Sequence, residues 1–279
     1  MTFREPVVTR HLDWMRVRNL SHNSIYNRAR TLARFTKWAG GPILYSTEDE
    51  LGQWQRERSL QIGAPALRGE LSGLRQFYRW CVREGLRNDD PTVRLDLPRV
   101  PRRLPRPIAD ADLARAIYGA DAAVAAILGL ACFAGLRACE VARLDWSNIV
   151  VHGEPHLRVE DGKGGRGRLV PLSPVLLALL LGLPHRRGPV IPRADGKAGA
   201  NRPHAISHRA NNYLHECAIT DTLHQARHRF ASATYQACRD IRAVQDLLGH
   251  ASPTTTSIYA QVAPGVAVEA VQRASKLAA

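Results

Sequence analysis

Apolar residues recur at helical spacing over the first 90 residues, in four segments separated by turn and capping residues. The segments read VVTRHLDWMRVR, SIYNRARTLARFTKWA, STEDELGQWQRER and APALRGELSGLRQFYRWCVREG. The second segment ends at Gly40, a residue type that commonly closes a helix, and the third begins with Thr47 and Glu50 at the spacing of a capping box. The pattern therefore predicts a four-helix N-terminal domain over residues 1–90.

The helical pattern stops in PTVRLDLPRVPRRLPRPI, residues 91–108, which contains five prolines. Proline fixes φ and lacks an amide hydrogen, so a segment rich in proline stays extended and semi-stiff. We therefore predict a basic linker here. Its arginines have two interpretations, a solvated run of charge or a set of contacts along the backbone of a nucleic acid.

Residues 109–279 combine helical and strand patterns. The helical segments DADLARAIYGA, AVAAILGLACFAG and ACEVARL precede the short strand segments NIVV, HLRVE and RGRLVPL. The sequence DGKGG between the last two strands is typical of a hairpin turn, and helical patterns then continue towards the C-terminus. We predict a mainly α protein with a small antiparallel hairpin or sheet, in which a mixed α+β domain follows the helical N-terminal domain.

The charge of the chain indicates a polyanionic partner. The 279 residues include 39 Lys and Arg against 25 Asp and Glu, a formal net charge of +14. Arginine supplies most of the positive charge, and its planar guanidinium can bind phosphate through two hydrogen bonds. Nucleic acid is the first candidate partner.

The cysteine pattern favours a reducing compartment, and the hydropathy indicates neither a secretory signal nor a membrane span. The five cysteines are scattered without a C-x-x-C pair. The first residues lack the apolar core of a secretory signal, and no later stretch approaches the ~18 apolar residues of a membrane span. We expect a protein of the cytoplasm, associated with the nucleoid and not with a membrane.

The segment AGLRACEVARL places Arg137 directly after a Gly–Leu pair at the end of an apolar helical segment. Glu140 follows three residues later, where it can form an ion pair with Arg137 on the same helix face. Such a pair is an ordinary feature of helix junctions. An arginine held by a carboxylate is also suited to clamping a phosphate.

The segment DGKGGRGRLVPL places Lys163 at the tip of the predicted hairpin. Lysine is common at exposed tips, but a loop lysine can also close over a substrate and donate a proton. Gly164 follows Lys163 where a Walker-type phosphate loop needs Ser or Thr, so that kind of nucleotide site is excluded.

The segment LHQARHRF places His224 and Arg227 one turn apart at the start of a helix. His224 and His228 also have the i, i+4 spacing of zinc proteases. Gln225 occupies the position where that motif requires the glutamate general base, which argues against a hydrolytic zinc site. We expect neither a metal nor another cofactor.

Six residues follow one another in the order of a single family pattern: Arg137, Lys163, His224, Arg227, His250 and Tyr259. The arginine ends a GLR triplet, the lysine lies in GKG, H-x-x-R starts a helix, and the histidine of LGH precedes the tyrosine by nine residues. In these features the chain resembles the tyrosine recombinase family, which includes phage integrases and Xer-type recombinases. The resemblance covers nearly the whole chain, because the N-terminal helices and linker look like the family's SAM-like core-binding domain.

The chain also departs from the family pattern. Ala226 stands where leucine is common, which we expect to alter packing only. The helical module begins almost at residue 1, so we expect no additional arm-binding domain of the kind found in lambda-like integrases.

The resemblance implies a site-specific recombinase that acts on double-stranded DNA attachment sites. Tyr259 would attack a DNA phosphate, form a 3′-phosphotyrosyl link and release a 5′-hydroxyl, and two rounds of exchange would pass through a Holliday junction. Arg137 and Arg227 would neutralise the charge that builds on the phosphate oxygens. The natural role would be integration or excision of a phage or another mobile element.

The resemblance assigns the remaining three residues to proton transfer and hydrogen bonding. His224 would accept the proton of the tyrosine, Lys163 would protonate the leaving 5′-oxygen, and His250 would donate to a non-bridging oxygen. Glu140 would hold Arg137 in place without contacting the phosphate itself.

The resemblance also implies partners. Family members act as a homotetramer on paired sites, and the tail APGVAVEAVQRASKLAA could dock on a neighbouring protomer or pack within its own chain. The resemblance also implies a directionality factor as a further candidate partner. The terminal Leu277, Ala278 and Ala279 resemble the end of a bacterial degradation tag and could recruit a protease, or they could be a frayed helix end.

Three alternatives remain beside the integrase interpretation. Xer-type resolution of chromosome or plasmid dimers uses the same chemistry. A type IB topoisomerase also shares that chemistry, but it lacks the compact helical N-terminal module. A DNA-binding protein without catalysis would explain the charge, although it would have no use for a nucleophile.

Overall fold

The computed structural model describes residues 5–101, 106–160 and 167–249. Several residues that the sequence analysis singled out lie outside these ranges: Lys163, His250, Tyr259 and the C-terminal tail with Leu277, Ala278 and Ala279.

The chain divides into two compact units, Met1–Arg102 and Arg103–Ala279, each with its own hydrophobic core. The described part of the chain is mainly helical and contains one small antiparallel sheet, which confirms the predicted fold class. Among the helices of the described ranges, none combines the length and the apolar character needed to cross a membrane.

The N-terminal unit consists of four helices, as predicted: α1 Pro6–Val17, α2 His22–Ala39, α3 Glu48–Ser59 and α4 Ala64–Arg83. Helix α2 starts after Ser21, whose hydroxyl oxygen accepts from the Ser24 amide, and ends at Gly40 with φ +71°. The predicted capping box of α3 is present. The Glu50 amide donates to Thr47 Oγ1 at 3.2 Å, and the Thr47 amide donates to Glu50 Oε2 at 2.7 Å.

The apolar faces of these helices enclose an aromatic core, and its most buried members include Phe35, Trp54, Phe77 and Tyr78. One polar pair is also buried in this unit. Arg28 Nη1 lies 2.9 Å from His11 Nε2, and Arg28 Nη2 donates to Gln76 Oε1 at 2.6 Å.

Between α4 and residue 110, the described residues contain no helix or strand, as the prolines of this segment predict. The C-terminal unit then begins with three helices, α5 Asp110–Gly119, α6 Ala122–Ala134 and α7 Ala138–Arg143. Helix α6 is buried around most of its circumference, which explains its uninterrupted apolar sequence.

Three short strands follow: β1 Ile149–Val150, β2 His156–Val159 and β3 Arg168–Pro171. They form an antiparallel sheet in the order β1-β2-β3, with Leu157 opposite both Ile149 and Val170. Side chains alternate across the sheet, so Leu157 and Val170 are buried while Leu169 is exposed.

Four further helices complete the described part of the unit: α8 Pro174–Leu181, α9 Pro203–Glu216, α10 Leu223–Cys238 and α11 Ile241–Leu248. Helices α8, α9 and α10 pack against α6. A smaller cluster joins α10 to α11 through Ala231, Tyr235, Val244 and Leu248. The end of α11 is thereby brought to the junction between α6 and α7.

Candidate active site

The junction between α6 and α7 fixes the position of Arg137. Helix α6 ends at Gly135 in the left-handed conformation, φ +65°, and a Cβ at this position would overlap the ring of Phe230. Leu136 is buried, and Arg137 is the N-cap residue of α7. The close packing at Gly135 and the burial of Leu136 therefore fix where the backbone of Arg137 leaves the turn.

Glu140 holds Arg137 through two hydrogen bonds. Its Oε2 accepts from the Arg137 amide at 2.8 Å, and its Oε1 accepts from Arg137 Nη1 at 2.9 Å. The i, i+3 ion pair expected from the sequence is therefore present. Arg137 Nη2 also donates to the Gly249 carbonyl at 3.2 Å, which ties the arginine to the end of α11.

Two more arginines, Arg168 and Arg227, reach the same carboxylate. Arg168 forms a bidentate pair with it, from Nη1 to Oε1 at 3.0 Å and from Nη2 to Oε2 at 2.9 Å. Arg227 Nη1 lies 3.5 Å from Oε2. Strand β3, helix α7 and helix α10 thus meet at one buried carboxylate, Glu140, whose side chain is 9% exposed.

Arg227 is buried, with 2% of its surface exposed. Its Nη1 donates to the Gly135 carbonyl, and its Nη2 donates to the Leu248 carbonyl at 2.8 Å. These carbonyls belong to the left-handed end of α6 and to the last turn of α11. Arg227 therefore fastens both helix ends to α10.

The charges around Glu140 keep it ionised. Burial alone would raise the pKa of the Glu140 carboxyl, but hydrogen bonds and charge from Arg168, the Arg137 amide and the Arg227 charge together hold that pKa below its usual value. Three guanidinium groups around one carboxylate leave net positive charge at this point. Such a cluster attracts a phosphate anion.

His224 lies one turn before Arg227 on α10, where part of its surface is exposed and part is covered by protein. Partial burial of the imidazole, followed by the charges of Arg227 and Arg137, lowers the pKa of His224 below its usual value. The ring is therefore neutral near pH 7 and can accept a proton. The ring of His228 lies 4.5 Å away, and burial together with the neighbouring His224 and Arg227 lowers the pKa of His228 to about 4.

The zinc interpretation gains no support from this geometry. The side chain of Gln225 caps α10, with Oε1 accepting from the Thr222 amide at 2.8 Å. Within the ranges that the structure describes, no three His, Cys, Asp or Glu side chains are grouped to hold a metal ion.

Of the six candidate residues, Arg137, His224 and Arg227 lie within the described part of the chain. The structure brings the two arginines to the same carboxylate, and both lower the pKa of His224. It also brings Gly249, the residue immediately before His250, within hydrogen-bonding distance of Arg137.

The sequence analysis missed Arg168. A signal for it exists, because Arg168 and Val170 are two residues apart on one strand and therefore point to the same face. Val170 faces the core, so an arginine on the same face of the strand needs a buried partner for its charge.

Comparison with known proteins agrees with this architecture. The model of the Phage integrase family matches residues 112–265, and that of the Phage integrase, N-terminal SAM-like domain matches residues 11–85. Tyrosine recombinase XerD of Xanthomonas campestris pv. campestris is 35% identical over 83% of this chain and 79% of that protein. Tyrosine recombinase XerD of Pseudomonas aeruginosa is 30% identical, over 94% of each chain.

Solved structures share the fold. A lambda integrase (75–356) dimer bound to a COC′ core site superposes with a TM-score of 0.73 at 19% identity, covering 93% of this chain and 95% of that one. A post-cleavage complex of the XerH site-specific recombinase with a palindromic difH substrate has a TM-score of 0.69 at 17% identity, covering 91% of this chain and 80% of that one.

The family models and the curated relatives place the chain in the class of DNA strand-transfer enzymes with a helical N-terminal domain. The chain belongs to the phage integrase family of tyrosine recombinases. It is a site-specific recombinase, an enzyme that cleaves and rejoins DNA, and both the recombinase interpretation and the SAM-like N-terminal domain are thereby confirmed.

Proposed function

We propose that this recombinase cleaves its attachment site through Tyr259, with Arg137 and Arg227 as the phosphate clamp. The observation that carries the proposal is the convergence of both arginines on Glu140 beside the Gly249 carbonyl. The chain continues from Gly249 to His250 and, nine residues later, to Tyr259. The clamp therefore lies next to the start of the segment that carries the nucleophile.

In the proposed reaction, the Tyr259 oxygen bonds to the scissile phosphorus while the bond to the 5′-oxygen breaks. His224 takes the phenolic proton, a role that its lowered pKa supports because the neutral ring is the form that accepts. Lys163 gives a proton to the leaving 5′-oxygen, and His250 donates to a non-bridging oxygen. The phosphodiester is retained as a 3′-phosphotyrosyl bond, so resealing needs no external energy source.

The two arginines differ in what they offer the phosphate. The side chain of Arg137 is 37% exposed, and its guanidinium can reach a bound anion directly. Arg227 supplies positive charge from a buried position, where lower dielectric strengthens its effect.

The test uses a duplex that carries a nick close to the scissile phosphate, so that the short 5′-hydroxyl fragment diffuses away after cleavage. A pool of such duplexes with random flanks supplies the unknown site, and covalent complexes are isolated on a denaturing gel. We expect a covalent band for the wild type and none for Tyr259→Phe, which should still shift DNA on a native gel. Equal covalent bands from both proteins would contradict the assignment of Tyr259.

We further propose that residues 1–90 supply DNA contacts, that 91–108 is a linker and that 109–279 carries the chemistry. A groove of about 630 Å³ between α2 and α4 supports the first part, since the exposed Arg30 and the partly exposed Arg34 line it. Polar side chains that can hydrogen-bond to DNA, including Asn27 and Gln76, lie along the same groove.

The natural role that we favour is integration or excision of a mobile element by a homotetramer on paired sites. Xer-type dimer resolution is the second candidate, because two of the similar proteins are XerD recombinases. A single purified protein that recombines two sites supports the first role, whereas dependence on a second, homologous recombinase supports the other. A requirement for a directionality factor would show as excision that fails until another protein encoded by the element is added.

The last three residues could also recruit a bacterial protease. Their small, apolar character is the only support, and it predicts a longer half-life in the cell when Ala278 and Ala279 are both replaced by aspartate. A pulse-chase measurement that finds unchanged turnover would remove this partner.

A further inference from the structure

Arg168 connects three elements of the candidate active site. It is the first residue of β3, and its side chain is 11% exposed. Each terminal nitrogen donates to one carboxylate oxygen of Glu140 on α7, at 3.0 and 2.9 Å. Its Nε donates to the carbonyl of Leu247 in the last turn of α11, at 2.7 Å. The two acceptor residues, Glu140 and Leu247, lie far apart in the sequence, and this one side chain joins them directly.

Glu140 connects Arg168 to Arg137, because its carboxylate accepts hydrogen bonds from both residues. The same two carboxylate oxygens that accept from Arg168 also accept from the Arg137 amide and from Arg137 Nη1. A rotation of the carboxylate would therefore move the guanidinium that is proposed to meet the phosphate.

The turn after α11 is shaped to admit Arg168. Gly249 has φ +61°, and a Cβ on it would lie 2.7 Å from Arg168 Nη1. The carbonyl of the same glycine accepts from Arg137 Nη2 at 3.2 Å. Arg137 thus bonds to Gly249 and Arg168 occupies the space beside it, directly before the chain continues to His250.

The side chain of Arg168 is 11% exposed whereas that of Arg137 is 37% exposed, so Arg137 is the guanidinium placed to reach a bound phosphate directly. The donors of Arg168 are directed to Glu140 and Leu247. We propose that Arg168 is a positioning residue for strand cleavage, which holds Glu140 and the end of α11 so that Arg137 meets the scissile phosphate. This inference rests on the proposed function.

The test compares Arg168→Lys and Arg168→Gln with the wild type in single-turnover cleavage of the nicked duplex at saturating protein. Lysine keeps the charge but lacks the planar fork that contacts two carboxylate oxygens and a carbonyl together. The matched control is Arg186→Lys. Arg186 also donates to backbone carbonyls, including that of His185 at 2.8 Å, and its guanidinium lies 4.9 Å from the ring of Trp146. Within the described part of the chain, none of its hydrogen bonds goes to a residue of the candidate site.

We expect both Arg168 variants to cleave about 10- to 100-fold more slowly than the wild type, the loss associated with small displacements of a catalytic group. Their affinity for the uncleaved duplex should change less than about threefold, because the donors of Arg168 are directed to protein acceptors and not to a phosphate. Arg186→Lys should cleave at the wild-type rate. Rates are divided by the folded fraction from circular dichroism, so a loss of stability alone does not reproduce this result.

A second comparison asks whether Arg168 acts through Arg137. In an Arg137→Lys background, the further change Arg168→Gln should slow cleavage by much less than it does in the wild type, because the group being positioned is already altered. An equal slowing in both backgrounds would overturn the inference, as would wild-type cleavage by Arg168→Lys and Arg168→Gln. Absence of a covalent complex from the wild type is a separate outcome, and it would contradict the proposed function itself.

Discussion

At the scale of single residues, the C-terminal unit places three guanidinium groups on one buried carboxylate, Glu140. Buried ion clusters of this kind add little to stability, and replacing them with well-packed apolar side chains is often neutral or stabilising by about 1–4 kcal/mol. A contribution to stability therefore does not explain why three arginines surround Glu140. A site that must hold a phosphate and stabilise its added charge does give a reason.

The residue scale also shows the limit of prediction from sequence. The pair Arg137–Glu140 could be predicted because both residues lie on one helix turn. The contact of Arg168 with the same carboxylate could not, since the two residues belong to different elements and are 28 positions apart. The alternation of β3 reveals that Arg168 points inwards, but it does not reveal the partner.

The buried imidazole of His11 predicts a dependence of stability on pH. Burial, followed by the charges of Arg28 and Arg83, lowers the pKa of His11 to about 3. The unfolded chain binds a proton near pH 6.5 that the folded chain refuses, so the free energy of unfolding falls as the pH drops from about 6.5 towards 3. Between these pH values, the free energy of unfolding should depend less steeply on pH for His11→Gln than for the wild type. The difference between the two slopes should be about 1.4 kcal/mol per pH unit.

The measurement is urea denaturation followed by tryptophan fluorescence at several pH values between 4 and 7. Every other titrating group, including His228, is common to both proteins and cancels in the difference. Parallel stability curves for the wild type and His11→Gln would contradict the assignment.

At the scale of elements, a helix was predictable where the helical spacing of apolar residues was bounded by capping residues. Thr47 with Glu50 marks the start of α3, and Gly40 marks the end of α2. Strands β1, β2 and β3 were predictable from alternation and from the turn residues between them. The sequence did not indicate that α11 ends against the junction of α6 and α7, because that arrangement depends on packing between α10 and α11.

Helix α2 carries the clearest element-scale prediction. Arg30 is exposed on the groove between α2 and α4, so we expect Arg30→Ala to weaken DNA binding and to reduce the slope of log K against log salt by about one. Arg16→Ala is the control, since Arg16 lies on α1, is paired with Asp13 and does not line the groove. Equal salt slopes for Arg30→Ala and the wild type would exclude this face from the DNA interface.

At the scale of the whole molecule, the net charge of +14 and the order of six motif residues led from the sequence to the family. Neither property requires knowledge of contacts, which explains why function was predictable before the geometry of the site. The attachment site was not predictable, since base recognition depends on which side chains enter a groove of a particular duplex. The structure adds Arg168 and the shared carboxylate, which connect motifs that are remote in the sequence.

The central claim is that Tyr259 carries the cleaved strand, and the most direct measurement identifies the covalently modified residue. The trapped wild-type complex is digested with nuclease and trypsin and analysed by mass spectrometry. The tryptic peptide spanning 243–273 contains Tyr259 as its single tyrosine. The account predicts a nucleotide joined to Tyr259 through its 3′-phosphate, whereas an adduct on another residue, or one joined through a 5′-phosphate, would contradict it.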